Sequence, residues 1–153
     1  MPSAPTHGSR LGKLTTPLGD DKLLLTRFDG SEAISELFEY RVEALSVDPD
    51  VDFNAAINAN CSLEFITHSG EKRYFDGICT EALTTGIGES MYGYSLVLRP
   101  WLFLLSKRIN TKIFAEKSVT EILTEVFGDY GSVASFEQRV TKSYQKLEYT
   151  VQY

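Results

Sequence analysis

The chain has 153 residues, of which 42% are hydrophobic and 24% charged, and its formal net charge at pH 7 is −6. A chain of this length buries roughly 70% of its unfolded surface, enough for one good core or two small ones. The acidic balance argues against the basic surface that nucleic acids require, so we expect no nucleic-acid partner. No apolar run approaches the roughly 18 residues of a membrane-spanning helix, so we expect no membrane span.

The first segment, residues 1–16, is predicted to be a flexible leader. Met1 to Lys13 contains no apolar run of the kind that directs export, so the sequence predicts no signal peptide. The folded part of the protein is therefore expected to begin near residue 17.

Two strands are predicted after this leader. Lys22 to Phe28 is an apolar run of strand length, and the Asp29-Gly30 pair after it is typical of a turn. From Leu37 to Leu45 apolar and polar residues alternate, which indicates a half-buried strand. Its core-facing side chains are predicted to be Phe38, Tyr40, Val42 and Ala44.

An acidic segment, Asp48 to Asp52, begins like a calcium-binding loop but does not complete the pattern. An EF-hand loop beginning at its first aspartate needs Gly at the sixth position and Glu at the twelfth, where this chain has Phe53 and Ala59. Asp52 is better explained as the N-cap of a short helix over Phe53–Asn58.

A β-meander is predicted between residues 61 and 99. Its three strands are Cys61–Thr67, Arg73–Leu83 and Tyr92–Arg99. The third strand ends at Pro100, because proline has no N–H to donate to the sheet.

The register of the first hairpin is predicted from the pattern of its faces. A three-residue loop, Ser69 to Glu71, sets Phe65 opposite Phe75 and Leu63 opposite Gly77. A slip by one residue would mix apolar and polar faces, which a packed core forbids.

The same register sets Cys61 opposite Cys79. We interpret the pair as buried free thiols, because nothing in the sequence indicates export to an oxidising compartment. A disulfide between them is the alternative. A metal site is less favoured still, since the two histidines, His7 and His68, are isolated in the sequence.

Helical signals appear after the meander. Trp101 to Ser106 is predicted to be a buried short helix or turn. Ser118 and Glu121 have the spacing of a capping box, and an apolar stripe from Val119 to Phe127 predicts a helix of about ten residues. Gly128 suits the position just after this helix.

Two strand-like segments follow, Val133–Arg139 and Lys146–Tyr153. In the second, alternate residues share an apolar face: Leu147, Tyr149, Val151 and Tyr153. We expect this strand to be unfinished, because the sequence stops on the alternation without a closing turn.

No catalytic, cofactor-binding or metal-binding residue is predicted, and we expect the chain not to be an enzyme. Gly86-Ile87-Gly88 lacks the third glycine of a phosphate loop, and no Gly-x-Ser-x-Gly elbow is present. A thiol nucleophile needs a nearby base, and the meander does not place His68 beside either cysteine. The basic cluster Lys107, Arg108 and Lys112 is expected to be a solvated edge.

Five runs of residues resemble, in order, the opening of a known family. They are Phe28–Asp48, Arg73–Ile78, Leu98–Leu102, Ile113–Val119 and Tyr149–Tyr153. Together they resemble the VgrG family, the valine-glycine-repeat spike proteins at the tip of the bacterial type VI secretion system. The resemblance extends over residues 17–153 and leaves residues 1–16 unmatched.

This resemblance implies a structural role. The matching part of the family is similar to the tail hub of contractile phages, a homotrimer with two barrel-like domains per subunit. Such a hub joins a hexameric inner tube to a threefold spike, within a baseplate, and sheath contraction drives both through a membrane with effectors. The implied partners are other copies of the chain, the tube protein, baseplate components, and effectors or their adaptors. The family carries no catalytic residue in this region.

The resemblance also implies a domain organisation and a location. We expect a mainly β protein with short helices: a β-barrel-like hub domain over residues 17–99 and the start of a second, incomplete α/β hub domain over residues 100–153. Family members continue past the Val-Gln-Tyr motif, so we expect this chain to be an N-terminal fragment. The resemblance also implies that the protein assembles in the bacterial cytoplasm and is then injected through the type VI apparatus without a signal peptide.

Two other functions are kept open. A stand-alone barrel that binds a ligand or docks a cargo protein, as an adaptor does, would need an internal cavity. Inward-pointing Phe38, Tyr40, Phe75 and Tyr94 argue that the barrel is filled. An enzyme would need a cleft with a charged, desolvated pair beside Cys79 or His68.

Overall fold

The computed structural model describes residues 11–88 and 90–152. The chain divides into two compact units, residues 1–100 and residues 101–153. Most of the regular structure is β, with one α-helix and one 3-10 helix among the described residues. This confirms the predicted fold class, mainly β with short helices.

The first unit is a six-stranded antiparallel sheet. Its strands are β1 Gly12–Thr15, β2 Leu24–Ser31, β3 Glu39–Ser46, β4 Asn60–Ile66, β5 Lys72–Ile87 and β6 Tyr92–Arg99. They lie in the order β1-β4-β5-β6-β3-β2. The sheet curls until its edge strands approach: a Cβ on Gly12 of β1 would lie 2.9 Å from the Cδ2 of Leu25 on β2.

The concave face of this sheet holds the core, because each strand alternates apolar and polar residues. The strand residues that form this buried cluster are Leu14, Leu25, Tyr40, Val42, Ala44, Cys61, Leu63, Cys79, Tyr94, Leu96 and Leu98. The alternation predicted for β3 is confirmed, with Tyr40, Val42 and Ala44 buried and Phe38 partly buried. The hydroxyl of the buried Tyr94 has a hydrogen-bond partner, since it donates to the carbonyl of Asp48 at 2.8 Å.

Aromatic rings fill one end of the barrel. The Phe28 ring lies 4.8 Å from Phe75 and 5.3 Å from Phe65, measured between ring centroids. Tyr40 stacks on Phe38 at 4.4 Å. Offset and tilted ring pairs at these distances contribute about 0.5–1.5 kcal/mol each beyond the area they bury.

The predicted register of the first hairpin is wrong by two residues. Leu63 pairs with Phe75, not Gly77, and Cys61 pairs with Gly77, not Cys79. The reason is the turn: Thr67 donates its N–H to the Glu71 carbonyl, and Gly70 adopts a φ of 85° at the end of a three-residue loop. A left-handed residue in that place is typical of a type I turn with a G1 bulge. A two-residue shift keeps every side chain on its predicted face.

The predicted leader is also too long. Residues 12–15 form β1, which pairs with β4, and Leu14 is 3% exposed. Leu14 pairs with Leu63 and enters the core, which explains why the strand forms in a polar segment. The part of the leader from residue 1 to residue 10 lies outside the described residues.

One predicted turn and one predicted helix differ in the structure. Asp29-Gly30 is not a turn, because β2 continues through both residues to Ser31 and pairs with β3. The chain reverses later, where Ser35 has a φ of 64°. The Asp52 carboxylate accepts a 2.9 Å hydrogen bond from the Asn54 N–H and so caps a single turn. The predicted helix over 53–58 does not extend beyond that turn.

The second unit has four elements of secondary structure among its described residues. They are a 3-10 helix Trp101–Lys107, β7 Lys112–Lys117, α1 Val119–Gly128 and β8 Leu147–Gln152. β7 and β8 form an antiparallel pair with Ile113 opposite Val151. The predicted strand at 133–139 is wrong, since that segment has no strand.

The predicted capping box of α1 is confirmed. The Ser118 hydroxyl accepts from the Glu121 N–H, while the Glu121 carboxylate accepts from the Ser118 N–H at 2.8 Å. Gly128 is the last residue of the helix and not the residue after it, because Asp129 serves as the C-cap in a right-handed conformation. The 3-10 helix begins after Pro100 as expected, but none of its residues is buried.

Candidate interaction surfaces

The two cysteines lie in the core of the first unit. Cys61 and Cys79 are 1% and 0% exposed and both are free thiols. A hydrogen bond between the two thiols, together with burial, raises the pKa of Cys61 well above its usual range. A protonated thiol is a poor nucleophile and a poor metal ligand. His68 is exposed in the turn between β4 and β5.

The charged groups of the barrel form ion pairs on its convex face. Arg99 donates to Glu39 at 2.7 Å, to Glu81 at 2.6 Å and to the Thr80 hydroxyl at 2.7 Å. Hydrogen bonds from Arg99, and then from Arg41, lower the pKa of Glu39. Glu64 faces Tyr74 across the hairpin and pairs with Lys72 at 2.8 Å. These pairs join neighbouring strands of the sheet.

The basic residues Lys107, Arg108 and Lys112 of the second unit each contact a nearby acidic or aromatic side chain. Arg108 pairs with Asp129 at 2.8 Å, Lys112 pairs with Glu125 at 2.7 Å, and Lys107 lies over the Phe103 ring at 4.7 Å. Cations that are already paired in this way do not form the continuous positive surface that a nucleic acid needs.

Within residues 11–88 and 90–152, no group of three or more His, Cys, Asp or Glu side chains could hold a metal ion. None of the helices described is long and apolar enough to cross a membrane.

An open groove lies along β2 beside the start of β1, and we call it the β2 groove. Its volume is about 370 Å³, and it is lined by Leu11, Gly12, Leu25, Thr26, Arg27, Phe28 and Phe65. A second cavity of about 250 Å³ lies on the other side of the Phe28 ring, beside Tyr40, Arg73 and Phe75. No described strand pairs with this edge from Arg27 to Ser31, since β2 ends the sheet and β1 reaches only to Gly12.

The groove has an apolar floor and a charged rim. Phe28 and Phe65 form the floor, and Phe75 packs behind Phe28 at 4.8 Å between ring centroids. Arg27 and Asp29 lie on the rim, where they pair with each other at 2.7 Å and are each more than half exposed. Sequence reasoning missed this surface, because Asp29-Gly30 was interpreted as a turn and β1 as part of a leader.

A second surface is the exposed side of the β7–β8 pair, which we call the β7–β8 apolar face. Its four large side chains are Ile113 (67% exposed), Leu147 (53%), Tyr149 (66%) and Val151 (37%). The alternation that places three of them on one face of β8 was predicted from the sequence. A two-stranded ribbon with one wet apolar face is marginally stable by itself. Contiguous apolar surface of this kind typically marks an interaction site.

A third surface is the outer part of β5. Beyond Cys79 no described strand lies on the β4 side of β5, and residues 83–86 are exposed. Leu83 is 63% exposed. The segment Leu83–Gly86 carries no charge, which is unusual for a free edge because most proteins protect such edges with charged residues.

Comparison with known proteins shows which family the chain belongs to. The model of the family "Phage tail baseplate hub (GPD)" matches residues 31–153. The type VI secretion system spike protein VgrG1b of Pseudomonas aeruginosa is 36% identical over 146 residues, which is 95% of this chain and 19% of that protein. The spike protein VgrG1c of the same organism is 35% identical over 95% of this chain and 20% of its own length.

Solved structures agree at the level of the fold. One describes the E. coli c3393 protein as a component of the type VI secretion system with structural similarity to T4 bacteriophage tail proteins gp27 and gp5. It matches with a TM-score of 0.70 and 18% identity, covering 92% of this chain and 39% of that one. The chain spans about a fifth of the length of the curated relatives it matches. The hub model alone covers four fifths of the chain, so the chain belongs to the phage tail baseplate hub family.

Proposed function

We propose that the chain is a structural hub module of a contractile injection spike of the type VI class. The single observation that carries this proposal is the match of the hub family model over residues 31–153. It is supported by the curled sheet of the first unit, whose fold a solved type VI component shares. In this function, the first unit is the first hub domain, and residues 101–153 begin the second.

The chemistry of the surfaces agrees with a scaffold. Several charged groups form ion pairs that join strands or support a helix cap, such as Arg99 with Glu39 and Lys146 with Glu121. The surfaces that lack a partner are apolar or are free strand edges, and both favour association with other protein chains. A scaffold needs no active site, and this function assigns no catalytic residue, metal or cofactor to the chain.

The partners and location follow from that role. The module forms a homotrimer, contacts the hexameric tube protein and baseplate components, and helps to deliver effectors with or without adaptors. It assembles in the bacterial cytoplasm and is then injected through the secretion apparatus.

The alternative of a stand-alone ligand-binding or adaptor barrel has less support. Its interior is occupied by large side chains, including Val42, Leu63, Tyr94 and Leu96, each 1% exposed or less. The cavities beside Phe28 open at the edge and mouth of the barrel. They fit a protein segment better than an enclosed small molecule.

A chimera tests the proposed function. The N-terminal segment of the Pseudomonas aeruginosa VgrG1b protein that aligns with this chain is replaced by the chain itself. We expect the chimera to have the mass of a trimer by light scattering and to support export by the type VI apparatus. A matched chimera carrying Leu63→Asp, which puts a charge into the core, serves as the negative control. A soluble, folded chimera that remains monomeric would contradict the proposal.

A further inference from the structure

The hairpin between β2 and β3 ends in a loop, residues 32–37, which we call the β2–β3 tip. Its Ile34 side chain is 98% exposed, and Leu37 is 49% exposed. The loop reverses through Ser35, whose φ is 64°. Glu36 is also exposed and forms no ion pair among the residues that the structure describes. The tip therefore presents an isoleucine beside an unused negative charge.

A single exposed isoleucine is common on protein surfaces, but here the same unit also contains a cavity that fits it. This is the cavity of about 250 Å³ beside the Phe28 ring, which we call the mouth pocket. The rings of Phe28, Tyr40 and Phe75 line it, with centroids 4.8–5.5 Å apart. Gly30 keeps the pocket open, because a Cβ there would lie 3.0 Å from the Phe28 ring and 3.2 Å from the Tyr40 ring. The pocket is large enough to admit one branched aliphatic side chain.

The charges of the mouth pocket favour an acidic occupant. Arg73 lies at its rim, with the guanidinium 4.7 Å from the centroid of the Phe75 ring and no described carboxylate at ion-pair distance. The other charged residue of the lining, Glu32, is already engaged, because it accepts a hydrogen bond from the Tyr40 hydroxyl. Arginine binds carboxylates well, through its planar set of donors. A fitting occupant therefore carries a carboxylate close to an apolar side chain, as the β2–β3 tip does.

We propose that the β2–β3 tip of a second copy of this chain docks in the mouth pocket, where Ile34 contacts the aromatic rings and Glu36 pairs with Arg73. The tip does not fill the pocket of its own chain, since Ile34 is almost fully exposed. Tip and pocket lie at the same end of β2 and β3. The contact is therefore reciprocal, and each copy inserts its tip into the other around a two-fold axis.

This dimer goes beyond the proposed function. A two-fold contact joins chains in twos, so it is separate from the threefold contact of the hub. In the dimer, the aromatic end of each barrel is covered until the hub assembles.

Two charge reversals test the contact. Arg73→Glu and Glu36→Arg are prepared as separate chains, and dimer dissociation constants are measured by sedimentation velocity. Each variant alone should dimerise at least about tenfold more weakly than the unmodified chain, because both contacts of its dimer oppose like charges. An equal mixture of the two variants should recover dimerisation, since both contacts of the mixed dimer join opposite charges. A tip that folds onto its own pocket cannot produce this recovery.

Matched substitutions test the isoleucine. Ile34→Ser should weaken dimerisation at least about tenfold, because the aromatic rings lose the side chain that covers them. Ile109→Ser is the control, since that isoleucine is 97% exposed but lies in the second unit. Glu148→Arg is the control for charge, because Glu148 is exposed in the second unit. Neither control should change the dissociation constant.

The outcomes that overturn the proposal are distinct from those that overturn the hub function. Failure of the mixed variants to recover, or an equal loss from Ile34→Ser and Ile109→Ser, would show that the dimer contact lies elsewhere. If the VgrG1b chimera forms trimers while the unmodified chain stays monomeric, the hub function stands and this contact is wrong. If the chain dimerises as described and the folded chimera remains monomeric, this contact stands and the hub function is wrong.

Discussion

The two units of the chain differ in how they are stabilised. The first buries a continuous core in which Val42, Leu63, Leu96 and Leu98 are fully enclosed. In residues 101–152 only Phe114 and Ser118 are buried. The second unit is held by ion pairs, a capping box and a ring cluster around Trp101, whose ring centroid lies 5.0 Å from that of Phe127. The comparison teaches that apolar burial sustains the first unit and mainly polar contacts sustain the second.

The largest expected effect is a cavity in the first core. Leu63→Ala removes a side chain with no exposed surface, so the free energy of unfolding should fall by about 2–5 kcal/mol. Urea denaturation of the barrel measures the loss. Leu83→Ala is the matched control, since that leucine is 63% exposed and its loss should cost less than about 0.5 kcal/mol. Equal effects of the two substitutions would show that apolar burial is not what stabilises the first unit.

A smaller effect in the same unit is expected from Tyr94→Phe. It keeps the ring but deletes the hydroxyl that donates to the Asp48 carbonyl and accepts from the Val51 N–H. Both buried backbone groups lose a partner, so the free energy of unfolding should fall by about 1–3 kcal/mol. The same denaturation series detects it. An unchanged midpoint would show that water replaces the hydroxyl.

In the second unit, the capping box should account for much of the stability of α1. Ser118→Ala removes the acceptor for the Glu121 N–H, and the expected cost is about 1 kcal/mol. Amide hydrogen exchange over residues 119–128 measures it, with Thr124→Ala as the control because that hydroxyl bonds only within the helix and to Gln138. Protection that survives Ser118→Ala would mean that packing, and not the cap, holds the helix.

The smallest effect is a pH dependence confined to α1. The Ser118 backbone N–H, followed by Lys146, lowers the pKa of Glu121 to about 2. A carboxyl with a lower pKa in the folded state stabilises the fold above its unfolded value of about 4.3. That contribution is lost as pH falls from about 4.3 through 2, so exchange protection of α1 should decrease over this window.

Carboxyl NMR chemical shifts of Glu121 report its titration directly. Glu121→Gln should reduce the pH dependence of α1 and leave the part that comes from Glu125, whose pKa is also lowered by hydrogen bonds from Lys112 and Lys117. A midpoint near pH 4.3 would show that the carboxylate is free in solution, which would contradict the capping box.

Sequence reasoning succeeded where the signal is local. The capping box needs only Ser118 and Glu121 at the right spacing, and β3 needs only its own alternation. It failed where the outcome depends on distant partners. The two-residue error in the β4–β5 hairpin keeps every side chain on its face, so periodicity alone had no means of detecting it.

The candidate surface was harder to predict for the same reason. The alternation of β8 was visible, but the β2 groove exists only because β1 stops at Gly12 and β2 continues through Asp29 and Gly30. The local turn propensity of an Asp-Gly pair predicts a reversal there. Pairing with Arg41 and Tyr40 of β3 overrides that propensity.

The strand order of the first unit has a consequence for how the protein folds. Short connections join β2 to β3 and join β4, β5 and β6 in turn. β1 instead pairs with β4, so Leu14 meets its partner Leu63 only across a long stretch of chain. Closing that long loop costs chain entropy before any favourable contact between β1 and β4 forms. We therefore expect the β1–β4 pairing to form late in folding and to limit the folding rate. During synthesis, the ribosome must release the chain beyond Ile66 before the first strand has a partner. Until then, the apolar side of β1 depends on chaperones or on the solubility conferred by its polar neighbours.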